Sequence, residues 1–378
     1  KNRTMSQLQM TMFMLNKTEM PEYDYEAVDA ILSIGRNSSD DKVKIQALEV
    51  VAHTPVADAR VSDSFMSLLE KEDKVLTTPN SFLATSNSIL YVNAKPIFVD
   101  ICSDGNIDLD LCEKELKKDS SIKAIYAVHF SGKSINQEKL KYLKDTYNVL
   151  ILEDCAHSIG AIYKNIKAGS CTNSDISIFS FHPVKTLTTG EGGAITTNNK
   201  EYYEKLLKLR NHGTIPNPEI GTWHYDMKEL GFNYRLTDIS CALGISQLNK
   251  LDFFLQKRKD IAKRYDEFFE SIVNIEPLYS FANGSAYHLY VVKIDFSKFA
   301  VTKKELFLKL REKSIFLQFH YIPINKQPYY KALGYGNEST PIMDDYYEKA
   351  ISLPIYPKLQ FEEQDYVLKT IIEILNGR

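Results

Sequence analysis

The chain has 378 residues, of which 44% are hydrophobic and 25% charged, with a net charge of -3 at pH 7. That length and balance suit a globular protein of two domains, or of one large domain with a smaller appendage. The absence of a basic block excludes nucleic acid as an expected partner, so anionic substrates must be met by local groups.

No apolar run reaches membrane-spanning length, so no membrane association is expected. The short apolar patch MTMFML (10–15) lacks the length and the small-residue cleavage site of a signal peptide, and Lys1–Arg3 are expected to be a cloning remnant or a trimmed end. From residue 122 onward, strand-like and helix-like pieces alternate. IKAIYAVHF (122–130) reads as a buried strand, EKLKYLKDTY (138–147) as a helix and VLILED (149–154) as the next strand. ISIFSF (176–181) and GGAITTN (192–198) read as further strands, and EYYEKLLKLR (201–210) as a helix. This alternation predicts a largely parallel sheet with helices on its faces, whose ligands sit beyond the carboxyl ends of the strands. From about Leu251 the pattern changes. A long amphipathic helix leads to a turn at NGS (283–285), a strand at HLYVVKIDF (288–296), a helix at 303–313, a strand at IFLQFHYIP (315–323) and a closing helix, FEEQDYVLKTIIEIL. The expected division is a 1–75 segment, a large domain over 76–250 and a smaller α+β domain over 251–378.

The chemistry concentrates between Glu153 and Thr196. Asp154 ends the run VLILE, and Lys185 follows the run ISIFSF. An acid and a lysine presented from neighbouring strand ends are what pyridoxal 5'-phosphate (PLP) requires. The lysine bonds to the cofactor aldehyde, and the carboxylate keeps the pyridine nitrogen protonated so that the ring accepts electrons. Glu153 falls on the opposite side of the strand and is expected to be structural. The cysteines, Cys102, Cys112, Cys155, Cys171 and Cys241, are odd in number and form no CxxC pair. No disulfide framework, zinc site or other metal is expected, and reduced thiols in a cytoplasm are the default.

Four strings, EDCAHSIGA, SFHPVKTLTTGEGGAITT, LRNHG and GFNYRLTDISCALGISQL, together resemble the DegT/DnrJ/EryC1/StrS family of PLP-dependent sugar aminotransferases over about residues 75–378. The resemblance implies an aspartate-aminotransferase-type PLP-dependent fold with a mostly parallel, seven-stranded-type sheet and a smaller C-terminal α+β domain. It implies that Lys185 is the cofactor lysine, Asp154 the partner of the pyridine nitrogen and His157 a contact to the ring oxygen. Ser180 would bind the cofactor phosphate and Phe82 would stack on its ring, with Thr85 and Asn87 as neighbours. Asn233 would reach the phosphate of a partner subunit, making a homodimer with shared active sites, and Arg235 is an anion contact. His182, His320 and Tyr321 would face the sugar. The competing readings are structural: a surface lysine, a helix-capping carboxylate, satisfied histidines, a tolerated strand serine, a core phenylalanine and a turn asparagine. GEGGA (190–194) reads as a turn rather than a phosphate cradle.

SDGNIDLDLCEKEL (103–116) and HFSGKSINQEKL (129–140) are most similar to family members that aminate a UDP-linked 4-keto-6-deoxy-N-acetylhexosamine with L-glutamate as donor. Amination of another nucleotide-linked ketosugar is the neighbouring reading. A non-catalytic homologue with an impaired phosphate site is a third. Sugar dehydratases of the family carry histidine at the lysine position, so Lys185 argues against them. EYDYEAVDAIL (22–32) resembles the family's opening helix, but the pattern then lapses and resumes at LLEKEDKVLTTP. The family's Ser–small–Thr phosphate turn has no clean counterpart, Ser62 and Ser64 lying near its place in the wrong setting. Three explanations compete: a diverged segment that keeps a phosphate site from other hydroxyls, compensating frameshifts in the coding sequence, or a protein that no longer binds cofactor well. The abrupt loss and return favour frameshifts, which resequencing the gene would detect.

Overall fold

The computed structural model describes residues 69–377 together with the backbone of Glu49–Val51. The opening helix read at 22–32, and most of the atypical stretch 33–70 with Ser62 and Ser64, lie outside the described residues.

The central sheet is built from β1 (Glu49–Val51), β2 (Lys74–Thr77), β3 (Lys95–Phe98), β4 (Ile122–Val128), β5 (Leu150–Asp154), β6 (Ile176–Ser180) and β7 (Gly193–Thr197). Among the described residues its order is β1-β7-β6-β5-β4-β2-β3. The pairs from β6 to β3 are parallel, while β7 runs antiparallel to both β6 and β1. Its inner strands are buried on both sides, which is why they read as continuous apolar runs. Alternation along β4 divides the core: Ala124 and Tyr126 join Val75, Leu152 and Ile178 on one face, while Ile125 and Ala127 join Leu76 and Ile151 on the other.

Helices cover both faces. On one lie α1 (Leu83–Tyr91) and α4 (Lys200–Arg210), through Ile89 and Leu206. On the other lie α2 (Leu109–Lys118) and α3 (Gln137–Tyr147), through Cys112, Leu116, Leu140 and Leu143. Asp108 caps α2 by accepting from the Asp110 and Leu111 amides, and Asn136 caps α3 through the Lys139 amide.

After α5 (Asp238–Leu248) and the long α6 (Leu251–Phe269), a second core forms. An antiparallel sheet of β8 (Ile275–Pro277), β9 (Tyr290–Ile294) and β10 (Ala350–Leu353) packs with α6, α7 (Lys303–Glu312) and α9 (Phe361–Leu375), while α8 (Pro341–Lys349) precedes β10. The two cores meet around Ile101, Phe130, Leu289, Met343 and Tyr346. There the Asp100 carboxylate accepts from the Ile342 and Met343 amides, both at 2.9 Å, and so fixes the start of α8 to the end of the large sheet.

One expected strand is absent. Over 315–323 the alternation is real, since Ile315 and Leu317 are buried and Phe316 is exposed. Yet only Gln318 pairs with β10, through reciprocal bonds to Ser352. Beyond it the chain leaves the sheet, and the Ile324 amide bonds to the Pro79 carbonyl at 3.1 Å. A buried-exposed alternation records packing, which a lone extended segment achieves without a ladder.

Candidate active site

The carboxyl ends of β4, β5 and β6 and the start of α1 converge on one solvent-open pocket. Ser81, Phe82, Thr85, Val128, Asp154, Ala156, His157, Ser180 and Lys185 line it. Six of the residues singled out in the sequence, Asp154, Lys185, His157, Ser180, Phe82 and Thr85, therefore share one space.

Asp154 is the last residue of β5. Thr85 donates its hydroxyl to Oδ2 at 2.8 Å, the Ala156 amide donates to Oδ1 at 3.0 Å, and Ser81 Oγ lies 2.7 Å from Thr85 Oγ1. A carboxylate held by two donors keeps lone pairs for a protonated ring nitrogen. Lys185 reaches the pocket through a tight turn, its amide donating to the His182 carbonyl at 2.9 Å. Gly190, at φ +84°, turns the chain back toward β7. Phe82 stands at the N-terminus of α1 with about half its surface exposed, its ring 6.3 Å from that of Tyr321. Ser180 is buried at the end of β6, and its Oγ accepts from the His182 amide at 3.4 Å.

Neutral histidines surround the lysine. Burial, then the charges of Lys185 and His320, hold His157 well below the usual histidine range. Its Nε2 lies 3.1 Å from the Tyr321 hydroxyl, while its Nδ1 is buried without a hydrogen-bond partner among the described residues. Burial and Lys185 push His320 down to about 4. His320 does not line the pocket: its Nδ1 lies 2.8 Å from Ser352 Oγ, and its carbonyl accepts from the Tyr346 hydroxyl at 2.6 Å. His182 is partly exposed and lies 3.8 Å from Glu191.

Three residues fall away from this pocket. Asn87 accepts from the Tyr330 hydroxyl at 2.8 Å and ties α1 to a short helix at Pro328–Ala332. Asn233 and Arg235 are exposed on a segment held to Asn211. The 233 backbone bridges Asn211, and Arg235 Nη1 donates to its side chain at 2.6 Å. The motifs LRNHG and GFNYR thus brace each other.

Glu153, beside Asp154, points the other way. It is buried and accepts from Ser177 at 3.2 Å and from Gln137 and Ser174, with His129 Nε2 at 2.9 Å. Burial opposes its charge, but these partners hold its carboxyl below the usual range. Sequence reasoning missed this network and also His288, whose buried ring lies 4.4 Å from that of His157. A histidine opening an apolar strand was the available signal.

The residues fit PLP. A lysine and a donor-held carboxylate face one cavity under an aromatic ring, and a buried histidine nitrogen beside them has no hydrogen-bond partner among the described residues. With the sheet order, this puts the chain in the class of PLP-dependent transferases of fold type I. The chain belongs to the DegT/DnrJ/EryC1/StrS aminotransferase family, whose model matches residues 64–372, and it is a PLP-dependent sugar aminotransferase. It is 38% identical over 356 residues to the UDP-4-amino-4,6-dideoxy-N-acetyl-beta-L-altrosamine transaminase of Campylobacter jejuni, covering 92% of each chain. It is 30% identical to the spore coat polysaccharide biosynthesis protein SpsC of Bacillus subtilis, covering 96% of each. The solved structure of Helicobacter pylori PseC, an aminotransferase involved in the biosynthesis of pseudoaminic acid, superposes with a TM-score of 0.80 at 30% identity, over 93% of this chain and 97% of that one.

Among the described residues, no helix is long and apolar enough to cross a membrane. Nor do they contain a group of three or more His, Cys, Asp or Glu able to hold a metal.

Proposed function

We propose that the enzyme transfers the amino group of L-glutamate to the C4 ketone of a UDP-linked 4-keto-6-deoxy-N-acetylhexosamine, in the cytoplasm and as a homodimer. The observation that carries the reading is the convergence of Lys185, Asp154, His157 and Ser180 on one pocket. The substrate follows from the Campylobacter relative's name and from the strings at 103–116 and 129–140.

When bound, PLP supplies the electron sink that carries the amino group between the two substrates. Asp154 would hold the proton on the pyridine nitrogen, Phe82 would cover one ring face and Ser180 would bind the phosphate. His157, a neutral imidazole, would meet the ring oxygen. Lys185, the lysine that lines the pocket, would hold the cofactor aldehyde and, as a free amine, would serve as the acid–base group of both half-reactions, glutamate to 2-oxoglutarate and ketosugar to aminosugar. Tyr321, beside His157 and Phe82, and the partly exposed His182 would form the side that the sugar meets, with His320 behind them on Ser352. Because Asn233 and Arg235 are exposed away from their own pocket, they are assigned to the partner subunit's site. Exposed apolar side chains on either side of them in the sequence support that pairing: Trp223, Leu230 and Ile239 are each more than 70% exposed.

Incubation with PLP, glutamate and a panel of UDP- and dTDP-linked 4-keto sugars, read by mass, tests the proposal. Replacement of the ketone oxygen by an amine in the UDP-N-acetylhexosamine supports it. Amination of dTDP-linked sugars alone would replace the substrate assignment.

A further inference from the structure

The loop after β4 carries HFSGKS, a string that the pocket chemistry leaves unused. Its backbone is fastened to residues 286–289. The Ala286 amide donates to the Gly132 carbonyl at 2.9 Å and the Leu289 amide to the Ser131 carbonyl at 3.2 Å, while Ser131 Oγ donates to the Leu289 carbonyl at 2.9 Å. Gly132 has φ +101°, and a Cβ there would stand 2.9–3.0 Å from the Tyr287 amide nitrogen, the His157 carbonyl oxygen and the His288 amide nitrogen. Only glycine permits this approach. From α6, the buried Arg258 donates Nη1 to the carbonyls of Tyr287 and His288 at 3.1 Å and of Ile355 at 3.0 Å.

This clamp delivers the His288 ring. Fully buried, it lies 4.4 Å from the His157 ring at an interplanar angle of 38°. The Nδ1 atoms of both rings lack hydrogen-bond partners among the described residues. We infer that His288 is a positioning residue for His157, a flat back wall that sets the plane of the His157 imidazole and with it the grip of the pocket on the cofactor. The inference rests on the proposal that His157 meets the cofactor. His288 faces His157, Lys185, Arg258 and His320, all of which oppose a further positive charge. His157 faces Lys185, His320 and the Tyr321 hydroxyl, with Asp154 lining the same pocket. His288 therefore acts through its uncharged face, a role that phenylalanine retains and alanine does not.

The full-length protein, stripped of cofactor, is titrated with PLP by absorbance, and side-chain nitrogen NMR follows His157 protonation in the same apoprotein. His288→Ala is expected to bind PLP about tenfold more weakly, as loss of a supporting contact predicts. Its His157 should protonate at higher pH than in the parent, because water enters behind the ring. His288→Phe should restore PLP affinity to within about twofold. Unchanged affinity and unchanged His157 titration in His288→Ala would overturn the inference. So would a natively folded His288→Phe with the alanine variant's weak binding. Where His288→Ala does not fold, the phenylalanine variant alone decides, near-parental affinity supporting the role. His157→Ala separates the two levels. If it leaves PLP affinity unchanged, the parent reading fails; if it weakens PLP while His288→Ala does not, only the positioning role falls.

Discussion

On the proposed mechanism turnover depends on Lys185 and Asp154, and each has a separable signature. Lys185→Ala is expected to lose the visible cofactor band and to lower kcat on the order of 10³-fold, with its circular dichroism unchanged. Thr85→Val removes a hydroxyl donor from Asp154, and loss of a charge-assisted hydrogen bond of about 1.5 kcal/mol predicts PLP binding roughly tenfold weaker. The buried histidines give a pH signature of another kind. His157, His288 and His320 all have folded pKa values below the usual 6.5, His320 at about 4. Between those values the unfolded chain binds more protons than the folded one, so stability falls as pH drops. Each histidine adds a slope of up to about 1.4 kcal/mol per pH unit below 6.5. The urea midpoint should therefore decline between pH 6.5 and 5, above the window in which most carboxylates titrate. A flat midpoint across that window would mean that these rings are not held neutral in solution.

At the level of elements, the sequence reads best where burial is two-sided. β4, β5 and β6 were legible because parallel strands inside a sheet are apolar throughout, and Asp154 and Lys185 because their polarity interrupts those runs. The helix α1 was not legible. Its buried residues are Ala84, Thr85, Ser86, Ser88 and Ile89, small and mostly polar, so no apolar stripe marks it. Phe82 at its cap makes no side-chain capping bond. Arg258 was equally opaque, since a cation in a long amphipathic helix looks solvent-facing, yet it is buried against three carbonyls. Replacing it with methionine keeps the volume but orphans those acceptors. A loss of about 2–4 kcal/mol in chemical unfolding is expected, with the same m-value. Pairings such as His157 with His288 join residues more than a hundred positions apart, and nothing local in either stretch announces them.

Across the whole molecule, the proposal divides the active site between two chains. Lys185 lies in one pocket, while Asn233 and Arg235 are exposed, as is Leu230 a few residues before them. Leu230→Asp, which replaces that exposed apolar side chain with a charge, is expected to shift sedimentation from dimer to monomer at micromolar concentration and to remove activity without unfolding the chain. A mixture of Lys185→Ala and Asn233→Ala chains, re-equilibrated, should regain activity in hybrid dimers because one of the two shared sites is intact. No recovery on mixing would place both residues in the service of the same subunit.

Among the described residues, the stretch from 315 to 323 pairs its backbone with β10 at Gln318 alone and then departs from the sheet. A wall whose backbone is not woven into a ladder can be lengthened, shortened or recoloured without unravelling its neighbours. Diversification of the acceptor sugar could then proceed there by small local edits, while the machinery around Lys185 and Asp154 is inherited intact.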